Sequence, residues 1–285
     1  MKKILKRFPL FEKLNQLRHG IKCIGKGIFK ICVLKIQYPQ LNIYTYKALI
    51  NSIDKRNDTC HIIASGFSAV DSYKKNIVQK DDYIIGFNFA AFLPYQFDLY
   101  FCENGGINKI SKALMTLLNK RADNMLNIVF KNIYSADISS LKIVCNNKIP
   151  FSMVFDIQLY NEAMYKKLFH KPSYFMPQYA STVVSSIMLA YHAGFKQIVV
   201  HGLDFAGPHL YHDDELQNQI DMEAPTSYVP LTKRHPTADS QELVWKKLIK
   251  CFDRLGVNIY SASESSGFCA YAPVYQAYKN SLQSL

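Results

Sequence analysis

Two hydrophobic patterns alternate along most of this chain. Short runs of consecutive β-branched and aromatic residues, each closed by a polar residue or glycine, are separated by stretches whose apolar residues recur every three or four positions. The first pattern reads as strands buried on both faces and the second as helices packed by one face. Residues 181–205 show both. Val183, Ile187, Ala190 and Tyr191 share a helical face, Ser181 and Thr182 are candidate N-caps, and Gly194 is a C-terminal stop. Ile198-Val199-Val200-His201 then reads as a strand running into Gly202-Leu203-Asp204-Phe205.

The same reading predicts strands at His61 to Ala64, Tyr83 to Phe87, Phe97 to Cys102, Leu126 to Phe130 and Val257 to Tyr260. It predicts a short helix through Val70 and longer ones at Lys109 to Lys120, Pro177 to Ala193 and Trp245 to Leu255. Strands alternating with helices imply an α/β fold with a doubly wound, mostly parallel, Rossmann-like sheet. Tyr38-Pro39-Gln40 and the polar run Asp54 to Asp58 divide an N-terminal segment, residues 1–45, from a main domain, residues 58–285. The long, polar, Pro-interrupted stretch 206–240 reads as a lid.

Parallel strands would gather Ser65-Gly66, Asn88, Glu103-Asn104, Asp204 and Ser261 at one carboxyl edge. That edge is where open α/β sheets bind ligands. Backbone N–H groups of the Ser65-Gly66-Phe67-Ser68 loop, leading into a helix, suit phosphate oxygens. The loop is neither a Walker loop nor the three-glycine dinucleotide fingerprint. Asp204 has two readings at this stage, a turn residue bonding nearby backbone N–H groups or a ligand-site residue.

Composition narrows the setting. A chain of 285 residues, 49% hydrophobic and 13% aromatic, can bury one substantial core with an appendage. Seven cysteines without a CxxC pair argue against a disulfide scaffold and for a reducing, cytoplasmic location. No run of eighteen apolar residues predicts a membrane-spanning helix, and the N-terminus lacks the apolar core of a signal peptide. The net charge is +12, and residues 1–35 hold ten basic residues against Glu12 alone. In that segment Leu10, Leu14, Leu17, Ile21, Ile24, Ile28 and Ile31 form an apolar helical stripe. A basic amphipathic helix predicts attachment to an anionic membrane surface, on the inner face of the cytoplasmic membrane. Packing onto the domain or a partner subunit is the alternative, and a homo-oligomer is allowed. Nucleic acid is not expected as a partner, because few aromatics interleave with the charges.

Other chemistries find little support. His209 and His212, with Asp213 and Asp214, lie in a polar loop without a Cys or Glu ligand at recognisable spacing, so no metal cofactor is expected. A Gly-x-Ser-x-Gly nucleophile elbow and a Cys-His signature are both absent.

Taken in order, these segments resemble glycosyltransferase family 42, the bacterial sialyltransferases that decorate lipooligosaccharide. Ile62 to Ser68 is similar to the family's strand and Gly-Asn-Gly-Pro-Ser loop, one residue shorter and with Ser65 at the Asn position. Asn88 matches the Asn ending the second strand, and Cys102-Glu103-Asn104 the turn after the third. Ser181-Thr182-Val183, Gly194-Phe195-Lys196 and Gly202-Leu203-Asp204-Phe205 follow the family's helix-to-strand unit, and His235-Pro236-Thr237 its His before a polar turn.

The resemblance covers roughly residues 60–275. It implies a GT-A-like variant of the Rossmann sheet and a metal-independent, inverting transferase. Its donor would be a CMP-activated sialic acid or related nonulosonic acid, and its acceptor a cell-surface glycan or glycolipid of lipooligosaccharide or capsule. It implies His235 as general base, titrating near neutral pH, with Lys233 and Arg234 beside it. Two tyrosines would assist the leaving phosphate: Tyr211, and Tyr228 in place of the family residue that is Ala206 here. Ser65, Gly66, Ser68, Asn88, Asn104, Ser181, Thr182, Gly202 and Asp204 would line the nucleotide-sugar site, with Asp204 organising the loop that follows it. A Mg-dependent pyrophosphokinase or flagellin-glycosylation-like enzyme, and a non-catalytic nucleotide-binding protein held at the membrane, stay open as alternatives.

Overall fold

A computed structural model describes residues 42–103, 109–125, 127–131, 151–154, 156–158, 175–178, 181–222 and 238–277, with 32, 36, 39 and 172 as isolated positions. The basic stripe of residues 1–31 and the middle of the proposed lid, residues 223–237, lie outside the described residues.

Strands run in the order β1 (Asn42–Tyr44), β2 (Thr59–Ile63), β3 (Tyr83–Phe87), β4 (Leu99–Glu103), β5 (Ile128–Lys131) and β6 (Phe151–Val154). There follow β7 (Asp156–Gln158), β8 (Met176–Gln178), β9 (Gln197–His201) and β10 (Asn258–Ser261). The helices are α1 (Tyr46–Asn51), α2 (Ser68–Lys74), α3 (Lys109–Lys120), α4 (Thr182–His192), α5 (Asp214–Ile220) and α6 (Ala238–Arg254). Eight strands make one sheet in the order β1-β6-β5-β4-β3-β2-β9-β10, and every pairing in it is parallel. Strands β7 and β8 form a separate parallel pair.

Alternation along the central strands builds two core layers. Cys60 and Ile62 of β2, Ile85 and Phe87 of β3, and Ile198 and Val200 of β9 point to one face. There they meet Val184, Ile187 and Met188 of α4 and Trp245, Leu248 and Phe252 of α6. Ile63, Ile84 and Tyr100 point to the other, against Ala69 and Val70 of α2 and Leu114, Leu117 and Leu118 of α3. Because both faces are covered, these strands read as continuous apolar runs. The packed cores exclude water from more than fifty buried apolar side chains, and this burial is the main force holding the sheet together.

The structure revises the sequence-derived division of the chain. Residues 42–51, placed partly in the N-terminal segment and partly before the main domain, supply β1 and α1 of the same sheet, and Tyr46 and Leu49 are buried in its core. The polar run expected to be a linker is fastened to the sheet. Arg56 donates to both carboxylate oxygens of Asp98 at 2.7 Å, and Asn57 Nδ2 donates to Asp82 Oδ1 at 2.8 Å. Helix α4 begins at Thr182, not Pro177, because Ser181 is the N-cap and the residues before it form β8. Helix α6 begins seven residues before Trp245.

Candidate active site

Chain order sets the site. From β2 the sheet grows through β3, β4, β5 and β6 on one side, and through β9 and β10 on the other. The strand order therefore reverses between β2 and β9, and a ligand crevice is expected outside the carboxyl ends of those strands. All the strands being parallel, Ser65, Gly66, Asn88, Glu103, Asp204 and Ser261 stand at one edge, as the sequence pattern implied. Asn104 lies outside the described residues, as do Tyr228 and His235.

At the switch point the loops after β2 and β9 are joined directly. Gly66 N–H donates to Gly202 O at 2.9 Å, Phe67 N–H to Pro208 O at 3.2 Å, and Leu210 N–H to Ser65 O at 2.9 Å. Both glycines are required by this approach. A Cβ on Gly66 would lie 2.5 Å from Gly202 O and 2.6 Å from Asp204 Oδ2. Gly202 has φ +63°, in the left-handed region, and a Cβ there would meet Ala64 O, Ala69 Cβ and Gly66 O at 2.9 Å.

Asp204 locks the junction. Its Oδ2 accepts from Ser68 N–H at 2.8 Å and its Oδ1 from Ser68 Oγ–H at 2.6 Å. The carboxylate thus occupies the first turn of α2, where negative charge is favoured by the exposed N–H dipoles. It organises the loop before α2, on the partner strand, in addition to ending its own. The same bonds revise the expected phosphate cradle. The N–H groups of Gly66, Phe67 and Ser68 all donate within the protein, so a phosphate would have to displace Asp204 or the carbonyls of Gly202 and Pro208 to use them.

The loop after β10 completes a wall. Ser266 Oγ–H donates to Leu203 O at 3.2 Å, and Ser263 Oγ–H donates to Asp71 Oδ2 of α2 at 2.6 Å. Between the three loops opens a cleft of about 800 Å³, lined among others by Phe67, Asp71, Asp204, Ala206, Glu242 and Tyr271. Phe67 is 38% exposed there, a large apolar ring left facing solvent. The titratable residues of this lining are all carboxylates apart from Tyr271, and Phe67 and Phe205 add two further aromatic rings among small residues.

Other predicted residues divide into two groups. Asn88 follows β3 with φ +53°, a backbone conformation that Asn tolerates better than most residues. Its carbonyl accepts the Tyr100 hydroxyl. Ser181 caps α4, its Oγ accepting from Val184 N–H at 3.4 Å. Thr182 Oγ1 accepts from Lys131 Nζ at 3.3 Å. Tyr211 is 5% exposed and lies in an aromatic cluster, 5.0 Å from the Phe89 ring centre and stacked under His209 at 5.0 Å. Its ring is a core element rather than one open to the edge. Among the described residues no three His, Cys, Asp or Glu side chains stand together as metal ligands. Asp213, one of the four residues of the candidate His/Asp cluster, caps α5 by accepting from Leu216 N–H at 3.1 Å.

Lys131 was not singled out by the sequence. It ends β5 at the carboxyl edge, fully buried, with its ammonium 5.9 Å above the Phe101 ring. An isolated lysine after an apolar run reads as a solvated strand end; here its ammonium instead meets Thr182 at the start of α4.

No protein-family model and no curated protein matches this sequence. Among solved structures, the chain is similar to the monofunctional α-2,3-sialyltransferase Cst-I from Campylobacter jejuni. The identity is 18% over 79% of this chain and 83% of that chain, with a TM-score of 0.47. It is also similar to the sialyltransferase CstII from Campylobacter jejuni in complex with cytidine-5'-monophosphate, at 16% identity over 78% of this chain and 86% of that chain, TM-score 0.43. A third similar structure is CST-II with trisaccharide acceptor and CMP, at 15% identity over 77% and 87%, TM-score 0.42.

Proposed function

We propose that this chain is a CMP-sugar-dependent sialyltransferase, moving sialic acid or a related nonulosonic acid to a glycan acceptor at the β2/β9 switch point. The observation that carries the reading is the junction where Asp204 holds Ser68 beside the 800 Å³ cleft. There the motifs that resemble family 42 in sequence meet in space, although Ser68 and Asp204 lie 136 residues apart. The cleft supplies aromatic faces suited to a base or sugar ring. Its carboxylates suit sugar hydroxyls and not phosphate, so the donor's phosphate is assigned to Lys233 and Arg234, next to the proposed base.

In this reading the acceptor oxygen attacks the anomeric carbon of the donor while the bond to the CMP phosphate oxygen breaks, with inversion and without a metal. His235 takes the proton of the acceptor hydroxyl. Tyr228 donates to the leaving phosphate, and Tyr211, buried in the Phe89 and Phe92 cluster, takes no part in that step. Residues 1–35 hold the enzyme at the inner face of the cytoplasmic membrane, close to a lipooligosaccharide or capsule acceptor. The test is transfer from CMP-sialic acid to a lactoside, with and without EDTA. Activity unaffected by EDTA, and a His235→Ala variant that loses turnover but still binds CMP, support the reading. Activity that requires Mg²⁺, or turnover that survives His235→Ala, overturns it.

A further inference from the structure

Beneath the cleft, on the face of the sheet that α2 covers, four polar side chains form one hydrogen-bonded line through the core. Asp82 stands at the amino edge just before β3, His61 in the middle of β2, His201 at the end of β9 and Ser72 on α2. The separations are 2.9 Å from Asp82 Oδ2 to His61 Nε2, 2.8 Å from His61 Nδ1 to His201 Nε2, and 2.8 Å from His201 Nδ1 to Ser72 Oγ. His61, His201 and Ser72 have no exposed surface, and Asp82 very little. The parallel register that sets Ile63 opposite His201 brings both imidazoles to the same face.

Counting hydrogens gives two complete arrangements. Ser72 Oγ lies 2.8 Å from His201 Nδ1 and 3.0 Å from Ala69 O, and it has one hydrogen to give. With both rings neutral, His61 Nε2–H donates to Asp82, His201 Nε2–H donates to His61 Nδ1, and the Ser72 hydroxyl donates to His201 Nδ1. With one more proton in the line, both nitrogens of His61 donate, to Asp82 and to His201 Nε2. His201 then donates from Nδ1 to Ser72, and Ser72 turns its hydrogen to Ala69 O. Each arrangement satisfies every buried donor, which a buried polar line requires.

We propose that this line is a proton-operated latch: uptake of one proton by the Asp82, His61, His201 and Ser72 chain reverses its His61–His201 and His201–Ser72 hydrogen bonds and changes how α2 is anchored to β9. The added proton rests on His61, against the Asp82 carboxylate, while His201 stays neutral and moves its hydrogen from Nε2 to Nδ1. The surroundings fit this division. Burial, and then the charge of His61, holds His201 well below the ordinary imidazole pKa. Burial raises the Asp82 pKa, but hydrogen bonds from His61, Gln79 N–H and Asn57, with the charge of His61, outweigh it and leave the carboxyl lowered. From the segment after β10, the Tyr275 ring meets His61 edge-on at 5.9 Å, and burial holds its hydroxyl proton in place. Of the charged groups nearest the line, Arg56 pairs with Asp98 and also donates to Asp82 O at 3.1 Å, and Lys75 pairs with Asp71, which also accepts from Ser263 Oγ–H.

The latch reaches the cleft through α2. His201 holds that helix at Ser72, and Asp204, three residues further along the same chain, holds it one turn earlier at Ser68. A change in the first hold is therefore read by the Ser68 N–H.

The experiment is a long-range ¹H–¹⁵N correlation on the full chain labelled in histidine nitrogen and backbone amides, titrated from about pH 8 to about pH 5. The expected result is a single midpoint at which His61 gains a proton, His201 changes tautomer and the Ser68 amide shifts. In Ser72→Ala the terminal acceptor is gone, so that midpoint falls by about half a pH unit or more, and the Ser68 amide no longer follows it. The proposal is overturned if His201 keeps one tautomer throughout or if the two rings titrate separately. Cooperative unfolding with both rings still neutral overturns it as well. These readouts need no nucleotide, so they stand apart from the transferase reading.

Discussion

Replacing Asp204 by alanine removes the acceptor of two hydrogen bonds, from Ser68 N–H at 2.8 Å and from Ser68 Oγ–H at 2.6 Å. A hydrogen bond to a charged group contributes about 1.5–3 kcal/mol, with the lower part of that range fitting a half-buried carboxylate. Asp204→Ala is therefore expected to cost about 2–4 kcal/mol. Asp204→Asn keeps an oxygen for the Ser68 N–H and can donate to the Ser68 hydroxyl once it turns, so it should cost only about 1 kcal/mol. Ser68→Ala removes the hydroxyl bond alone. The coupling between Ser68→Ala and Asp204→Ala, taken from the double-mutant cycle, should come to about 1–2 kcal/mol. Urea unfolding followed by far- and near-ultraviolet circular dichroism measures the parent and all four variants, with coincident transitions and a constant slope licensing the comparison. If the coupling lies within about 0.3 kcal/mol of zero, or Asp204→Ala costs no more than Asp204→Asn, the clamp does not hold the loops together.

Three further outcomes follow from the same geometry. Gly66→Ala places a Cβ 2.5 Å from Gly202 O and must push β2 and β9 apart, costing about 1–3 kcal/mol; a thermal unfolding midpoint equal to that of the parent protein would show that the junction yields freely. Trp245 is fully buried with no partner for its indole N–H among the described residues, so Trp245→Phe should cost far less than the roughly 3–5 kcal/mol of Trp245→Ala, as equilibrium unfolding of the pair will show. Because His201 is held below the ordinary imidazole pKa, the unfolded chain binds the extra proton, and stability falls as pH drops below about 6.5, by at most about 1.4 kcal/mol per pH unit for one proton. Urea midpoints measured between about pH 7 and pH 5 should show a smaller fall in His201→Gln, and an equal fall would refute that origin.

The central strands were legible because both of their faces are covered, which writes them as unbroken apolar runs; Tyr83 to Phe87 was read with its observed bounds. Strands β1, β6, β7 and β8 were not legible. Each has three or four residues, too few to show a period. The carboxyl-edge placement of Ser65, Gly66, Asn88 and Asp204 followed from strand ends alone, since parallel pairing leaves them no other edge. Their bonding did not follow. Nothing near Asp204 in the chain announces Ser68, and the competition between carboxylate and phosphate for the same N–H groups appears only when β2 and β9 are set side by side. His61 and His201 stand inside strand patterns as isolated polar residues 140 positions apart, and only the register of β2 against β9 makes them a pair. The resemblance gave Tyr211 to the leaving phosphate, while the Phe89 and Phe92 rings that bury it belong to a distant segment.

The claim that the β2/β9 cleft receives the donor nucleotide is tested most directly by calorimetric titration of the full chain with CMP, in parallel with UMP and in the presence of EDTA. The account predicts that CMP binds without metal and more tightly than UMP. It also predicts that Phe67→Ala, which removes the exposed ring of the cleft, weakens CMP binding by about 5- to 100-fold while leaving the unfolding midpoint unchanged. CMP binding that needs Mg²⁺, or is indifferent to Phe67→Ala, would contradict it.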